Sequence, residues 1–406
     1  IVKIAGYTDE EFVYHANTLA DPSNPQSYTF VVPEGVTVMG GYFEGTFPNG
    51  NYNNDGWDDA DEDHKRNAMT YRTVLSAEAV PTQGSTITQN VTGYHAVTFG
   101  KGDGTAALTK PAIIDGVWLT DGSATSMAGA GNANTQGGGA IVPEGAHVRN
   151  CVVTGNSAVA GGGLYVLPGG TVSGTLVYAN TADNGGGIYA DNGNTESGTD
   201  YNRAHIISCT IAGNTADNGG GLYLEDGAAM SLNTVIWGNT APSDKNVSGV
   251  TNERYRDSVL QDVLDLDGKY YPFNDCFVET REMESDFENS SMESDSTMYF
   301  IDTYRLKEFS PLIKHGLNDD YQSRLQATFG VVEKDMQGIL RSQDMGRLDA
   351  GAFAYDGGIL PTDLFTRIFV SQTTNVKLRE KEDMLKYLGK SFYTSFSTLE
   401  DALAYV

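Results

Sequence analysis

An all-β chain wound as a parallel β-solenoid is the fold class that three observations predict. The octet NTADNGGG occurs twice, at residues 180–187 and 214–221. A glycine triplet recurs at Gly137, Gly161, Gly185 and Gly219, at spacings of 24, 24 and 34 residues. Each copy holds short alternating apolar runs divided by Gly, Pro, Asn or Asp, which is the pattern of strands and turns rather than helix.

Composition agrees with that class. The 48 glycines and 22 tyrosines, beside only 19% charged residues, describe a β-rich, turn-rich chain. In 406 residues two or three average domains would fit, but a regular repeat makes one array of that length. A net charge of -27 and a pI near 4.4 leave too few Lys and Arg to neutralise phosphates. Nucleic acid and anionic membrane surfaces are therefore excluded as partners, and an acidic, cation-rich, extracellular setting fits better. No apolar run reaches membrane-spanning length. The sequence opens on Ile1 without a signal-peptide pattern, which predicts a mature or excised segment of a longer product.

The elements follow from the alignment. Strands run through Leu164 and Val166, Ile188 and Ala190, and Leu222 and Leu224, with Tyr165, Tyr189 and Tyr223 between them on the opposite face. A second strand carries Cys151 and Val153, Thr175 and Val177, Cys209 and Ile211, then Thr234 and Ile236. These columns match copy on copy, so one copy reads as one coil that cannot bury its apolar face alone. The third copy is longer because polar residues around 191–202 are inserted into a single turn. A weaker copy precedes them at residues 113–124, and VVPEGVTV at 31–38 echoes IVPEGAHV at 141–148. Asn156, Asn180, Asn214 and Asn239 form a further column, whose amides can satisfy backbone groups of neighbouring turns. Cys151 and Cys209 lie two coils apart, roughly 9.6 Å at about 4.8 Å per coil, beyond the ~7 Å limit for a disulfide. Both read as inward-facing small apolar residues. His147 and His205 share a column with Thr171 between them, too far apart to share a metal.

The GGG-apolar-Tyr and Gly-Asn-Ser/Thr-Ala motifs resemble the right-handed parallel β-helix repeats of bacterial surface proteins, similar to those of polymorphic outer-membrane adhesins. YTFVVPEGVTVMGGYFEGTF, RTVLSAEA, YRLKEFSPLIKHG and DMQGILRSQDMGRLDAGAFAY resemble opening, first-coil and closing segments of large β-helix proteins secreted by Bacteroidetes-type bacteria. The resemblance covers most of residues 1–355, read as one β-helix unit, and is weakest over 254–303. A Gly/Pro linker follows at 356–361, and residues 362–406 form a small C-terminal strand-helix segment. Its helix is signalled by a capping box at Ser397 and Glu400 and an apolar face of Leu399, Ala402, Leu403 and Val406. In the resembled family such a segment opens a unit whose next strand is like IVKIAGY at the start of this chain. Two arrangements follow: one period of a tandem array, or a subunit whose C-terminal segment caps the first coil of a neighbouring copy in a head-to-tail fibre.

The sequence offers four candidate sites. The first is catalytic, because β-helices of the pectate-lyase type carry polysaccharide lyases and hydrolases. A lyase needs a basic residue to take a proton alpha to a carboxylate, usually beside carboxylates that hold Ca2+. Between residues 100 and 246 the basic residues besides histidine are Lys101, Lys110, Arg149, Arg203 and Lys245, and Arg149 and Arg203 share no column. Asp183 and Asp217 sit one coil apart in identical contexts, which reads as turn chemistry rather than an acid/base pair. The second candidate is a calcium loop at residues 51–62, NYNNDGWDDADE, with Asn51, Asn53, Asp55, Trp57 and Glu62 as ligands. It matches the oxygen-rich loop pattern except that Asn51 replaces the first Asp, which lowers affinity; the alternative is an acidic solvated loop. The third is the column of Tyr165, Tyr189 and Tyr223, either a flat platform for sugars or a protein partner, or a sheet-stabilising stack. The fourth, the acidic run at 281–296, reads as a solvated loop. The expected function is a non-enzymatic extracellular protein of a bacterial surface, an adhesin or structural stalk, with other copies, a glycan or a host surface protein as partner. The alternative is a carbohydrate-active β-helix enzyme with a Ca2+ site.

Overall fold

The computed structural model describes residues 1–6, 13–43 except 25, 66–81, 87–125 except 102, 132–191, 203–225 and 229–249. It also describes 330, 334–341 and 348–354, and short strands between 255 and 306. The segments 51–62, 281–296 and 356–406, and Cys276, lie outside the described residues.

Strand follows strand with almost no helix, and the strands gather into four large sheets of eight, nine, four and eight members. The path through one copy shows how. Thr171–Ser173 enters the first sheet, Leu176–Tyr178 the second, Thr181–Asn184 the third and Ile188–Ala190 the fourth. The chain then returns to the first sheet with Ala204–Ile207, which pairs in parallel with Thr171–Ser173. Thr210–Ala212, Thr215–Asn218 and Leu222–Leu224 each pair in parallel with their counterparts one copy earlier. This order is consistent with an all-β solenoid. The inserted residues after Asp191 leave the register unchanged on both sides. The weak copy at 113–124 takes the same places, through Ala112–Asp115, Trp118–Thr120 and Ser123–Ala124. The echo between 31–38 and 141–148 is also positional, since Phe30 and Ala140 both pair with Val97, and Thr37 and His147 both pair with Ile113.

Alternation along each strand fills the space between the sheets. Val148, Val172 and Ile206 from the first sheet meet Val153, Val177 and Ile211 from the second and Leu164, Ile188 and Leu222 from the fourth in one buried cluster. Cys151 and Cys209 belong to it and are free thiols.

Two corners turn on a single left-handed residue in each coil. Between the first and second sheets these are Gly116, Asn150, Gly174, Ser208 and Asn233; between the second and third they are Asp121, Gly155, Ala179, Gly213 and Gly238. One residue at positive φ redirects an extended chain without a longer loop, so strands of three residues suffice. At the return to the fourth sheet the octet explains itself. Gly185 holds φ 65°, and a Cβ on Gly186 would lie 2.5 Å from the carbonyl oxygen of Gly220 in the next coil.

The segment resembling a closing element lies along the flank. Met336, Ala352 and Phe353 cover Trp118, Val152 and Leu176 on the outer side of the second sheet. Its backbone reaches across several coils: Ala352 N donates to Thr210 Oγ1 at 3.0 Å, and Asn233 Nδ2 to Asp349 O at 3.0 Å.

Candidate functional site

The tyrosines form the column that the alternation predicts. Ile141, Tyr165, Tyr189, Tyr223 and Ser248 follow one another across adjacent strands of the fourth sheet, on the side away from the core. The three rings stack with centroids 4.9 Å apart in both pairs and planes inclined by 6° and 9°. That separation is the coil spacing, so the ring planes lie across the stack and the inner faces are turned to one another. A ligand approaching from outside therefore meets ring edges and hydroxyls rather than a flat platform. Among the described residues, the Tyr223 face turned toward Ser248 has no aromatic neighbour.

The ladder is also covered at its start. Tyr165 is only 4% exposed and packs with Ile141 and with Ala133 from the short 3-10 turn Asn132–Thr135. Its hydroxyl donates to Asp191 Oδ2 in the next coil. Burial, then the Asp191 carboxylate, raises the Tyr165 pKa, so it stays a neutral donor. Tyr189 and Tyr223 are half-buried.

A second polar group gathers on the outer side of the first sheet. Asp115 is buried between two arginines, with Arg66 Nη2 2.6 Å from Oδ1 and Arg149 Nε 2.7 Å from Oδ2. Arg66 Nε also donates to Gly40 O at 2.6 Å, and Arg149 Nη1 to Gly330 O at 3.2 Å. Beside them His147 Nε2 and Ser173 Oγ are 2.7 Å apart, joining adjacent coils. Burial, and then the charge of Arg149, push the His147 pKa down to about 3, against the pull of Asp115. An imidazole that resists protonation so strongly is a poor general base, and Ser173 is itself buried. Arg149, one of the few basic residues available to a lyase, has its guanidinium committed to Asp115.

Other candidates lie apart from these. Asp183 and Asp217 occupy adjacent strands of the third sheet, both exposed. His147 and His205 flank Thr171 in one column. Burial pushes both the Cys151 and Cys209 thiols up to about 12, which leaves them unreactive. Among the described residues no three His, Cys, Asp or Glu side chains gather where a metal ion could be held, and no helix is long and apolar enough to cross a membrane. The calcium-loop candidates Asn51, Asn53, Asp55, Trp57 and Glu62 lie outside the described residues.

The asparagine column carries the most hydrogen bonds. Asn180 Oδ1 accepts from Asn156 N at 3.1 Å and Asn156 Nδ2 at 3.0 Å, and Asn214 Oδ1 does the same for Asn180. Asn180 Nδ2 also donates to Val153 O and to Tyr178 O. Sequence reasoning missed Asp191, Asp115 and Asn246 as partners. Asp191 was visible only as the first residue of an insertion, Asp115 sits in a column where the other copies carry no acid, and Asn246 stands where earlier copies carry glycine.

No protein-family model, curated protein or solved structure matches the chain.

Proposed function

We propose that the chain is a right-handed parallel β-helix acting as a non-enzymatic extracellular protein of a bacterial surface, an adhesin or stalk component in tandem or head-to-tail copies. The observation that carries this reading is the constant register of the coils between residues 140 and 237. Successive coils repeat the same side-chain roles, and buried polar groups bridge coils instead of converging on one accessible point. Right-handedness is supported by the rule that parallel strands joined by a crossover follow that hand in about 98% of cases. An acidic surface and paired arginines suit a scaffold better than a lyase centre.

The ligand in this reading is a glycan or host protein that meets the ladder at its Tyr223 end. Incubation with acidic and neutral polysaccharides should release neither unsaturated products nor new reducing ends, and robust turnover would sink the reading. On a glycan array, Tyr223→Ala should lose whatever binding the parent shows, whereas retention would place the binding surface elsewhere.

A further inference from the structure

The last coil of the fourth sheet departs from the repeat at one place. Where residues 219–221 read GGG, the following coil carries Asp244, Lys245 and Asn246. The correspondence is geometric. A Cβ on Gly220 would lie 2.5 Å from the carbonyl oxygen of Lys245, and one on Gly221 would lie 2.7 Å from that of Asn246. Gly186 and Gly187 bear the same relation to Gly220 and Gly221, at 2.5 and 2.6 Å. Asp244 has φ 49° where Gly219 has φ 59°. Three residues with side chains thus trace the path of the glycine triplet.

Interior coils exclude such side chains. The position of each missing Cβ at the second and third glycines falls against the backbone of the coil that follows. Side chains at 245 and 246 project into the space where a following coil would run.

Asn246 supplies an independent observation. Asn156, Asn180 and Asn214 each give their backbone N and Nδ2 to an asparagine Oδ1 one coil further on, 24, 34 and 25 residues away. For Asn239 the acceptor is Asn246 Oδ1, at 3.1 and 2.9 Å and only 7 residues on. The last rung is satisfied from within its own coil. Among the described residues the fourth sheet reaches Val247–Ser248, whereas the first and second reach Tyr255–Arg256 and Phe277–Glu279.

We propose that residues 244–246 are a stop element. They end glycine-led coil stacking at the corner between the third and fourth sheets and close it to a coil added by a second copy. Copies joined end to end must then meet away from this corner. The stop holds whether or not the protein is an adhesin.

Two variants of the full chain test it. In one, a copy of residues 161–184 is inserted between Ser243 and Asp244, so that the new coil starts with its own glycines and runs into the native stop. In the other, the inserted copy carries Gly161→Asp, Gly162→Lys and Gly163→Asn. Native-state hydrogen exchange of the Val247 and Ser248 amides, which follow the native stop and would have to stack on the inserted coil, is read in both. Behind the glycine-led coil these amides should exchange at least about 100-fold more slowly than behind the stop-led coil, as stacked amides do relative to unstacked ones. Equal exchange in the two variants, whether both are protected or both exposed, overturns the proposal.

Discussion

Ala179 and Asn180 are neighbours with opposite relations to their sites. Ala179 is an exposed residue at φ 53° in a corner column where Gly155 and Gly213 stand one coil away on either side. Left-handed backbone costs an L residue about 1–2 kcal/mol, so Ala179→Gly should stabilise by about 1 kcal/mol, read as a raised denaturant midpoint. Asn180 is buried and every polar atom of its amide is engaged, so Asn180→Ala leaves Asn156 N without its acceptor and takes a donor from Val153 O and Tyr178 O. At about 1–3 kcal/mol for each orphaned group, its midpoint should fall well below the parent's while any glycan binding is unchanged. Loss of binding with an unchanged midpoint would contradict a structural role. The asparagine column was legible because the same residue recurs beside the same glycines. The left-handed corners were not, since Gly, Asn, Ser, Ala and Asp all fill them and no single residue type marks the position.

At the level of the strand, His147 on Ala146–Arg149 binds this element to Thr171–Ser173 in its neutral form. Its folded pKa is depressed to about 3, so below an ordinary imidazole pKa the unfolded chain takes up a proton that the folded chain refuses. Stability from this group is complete above about pH 6.5 and is lost as pH falls toward 3, at about 1.4 kcal/mol per pH unit. His95, buried against the Gly137 carbonyl with its pKa also lowered by burial, acts in the same direction. Melting temperature should therefore drop between pH 7 and 5, and His147→Gln should flatten that slope; an unchanged slope would refute the assignment. The shared column of His147 and His205 was readable from the repeat. The polar face outside them was not, because Asp115, Arg66 and Gly330 come from distant parts of the chain and pair only when the sheets stack. The tyrosine column shows the same division: its outward direction followed from alternation, while the turn of its rings edge-outward and the cover over Tyr165 required the three-dimensional arrangement.

For the whole molecule, repetition explains both the fold and the scarcity of sites among the described residues. Glycines at the return corner admit the next coil, asparagines tie it down, and an apolar column on each sheet fills the interior. Residues 334–341 and 348–354 clasp the coils from outside, with the buried Arg341 donating to Gly351 O at 3.2 Å and Ala352 O at 2.8 Å. A chain built this way gains rigidity from many equivalent contacts instead of one irreplaceable one. Its central requirement is that coils stack in a single register, which a spectroscopic distance tests directly. Ser157 and Thr240 stand in one column of the third sheet through Thr181 and Thr215. Nitroxides at Ser157→Cys and Thr240→Cys, with Cys276→Ser and with the buried Cys151 and Cys209 left unlabelled, report three coil steps. Dipolar broadening in the electron paramagnetic resonance spectrum should give a narrow separation of about 14 Å, whereas absent broadening or a separation beyond about 20 Å would contradict the stacked register.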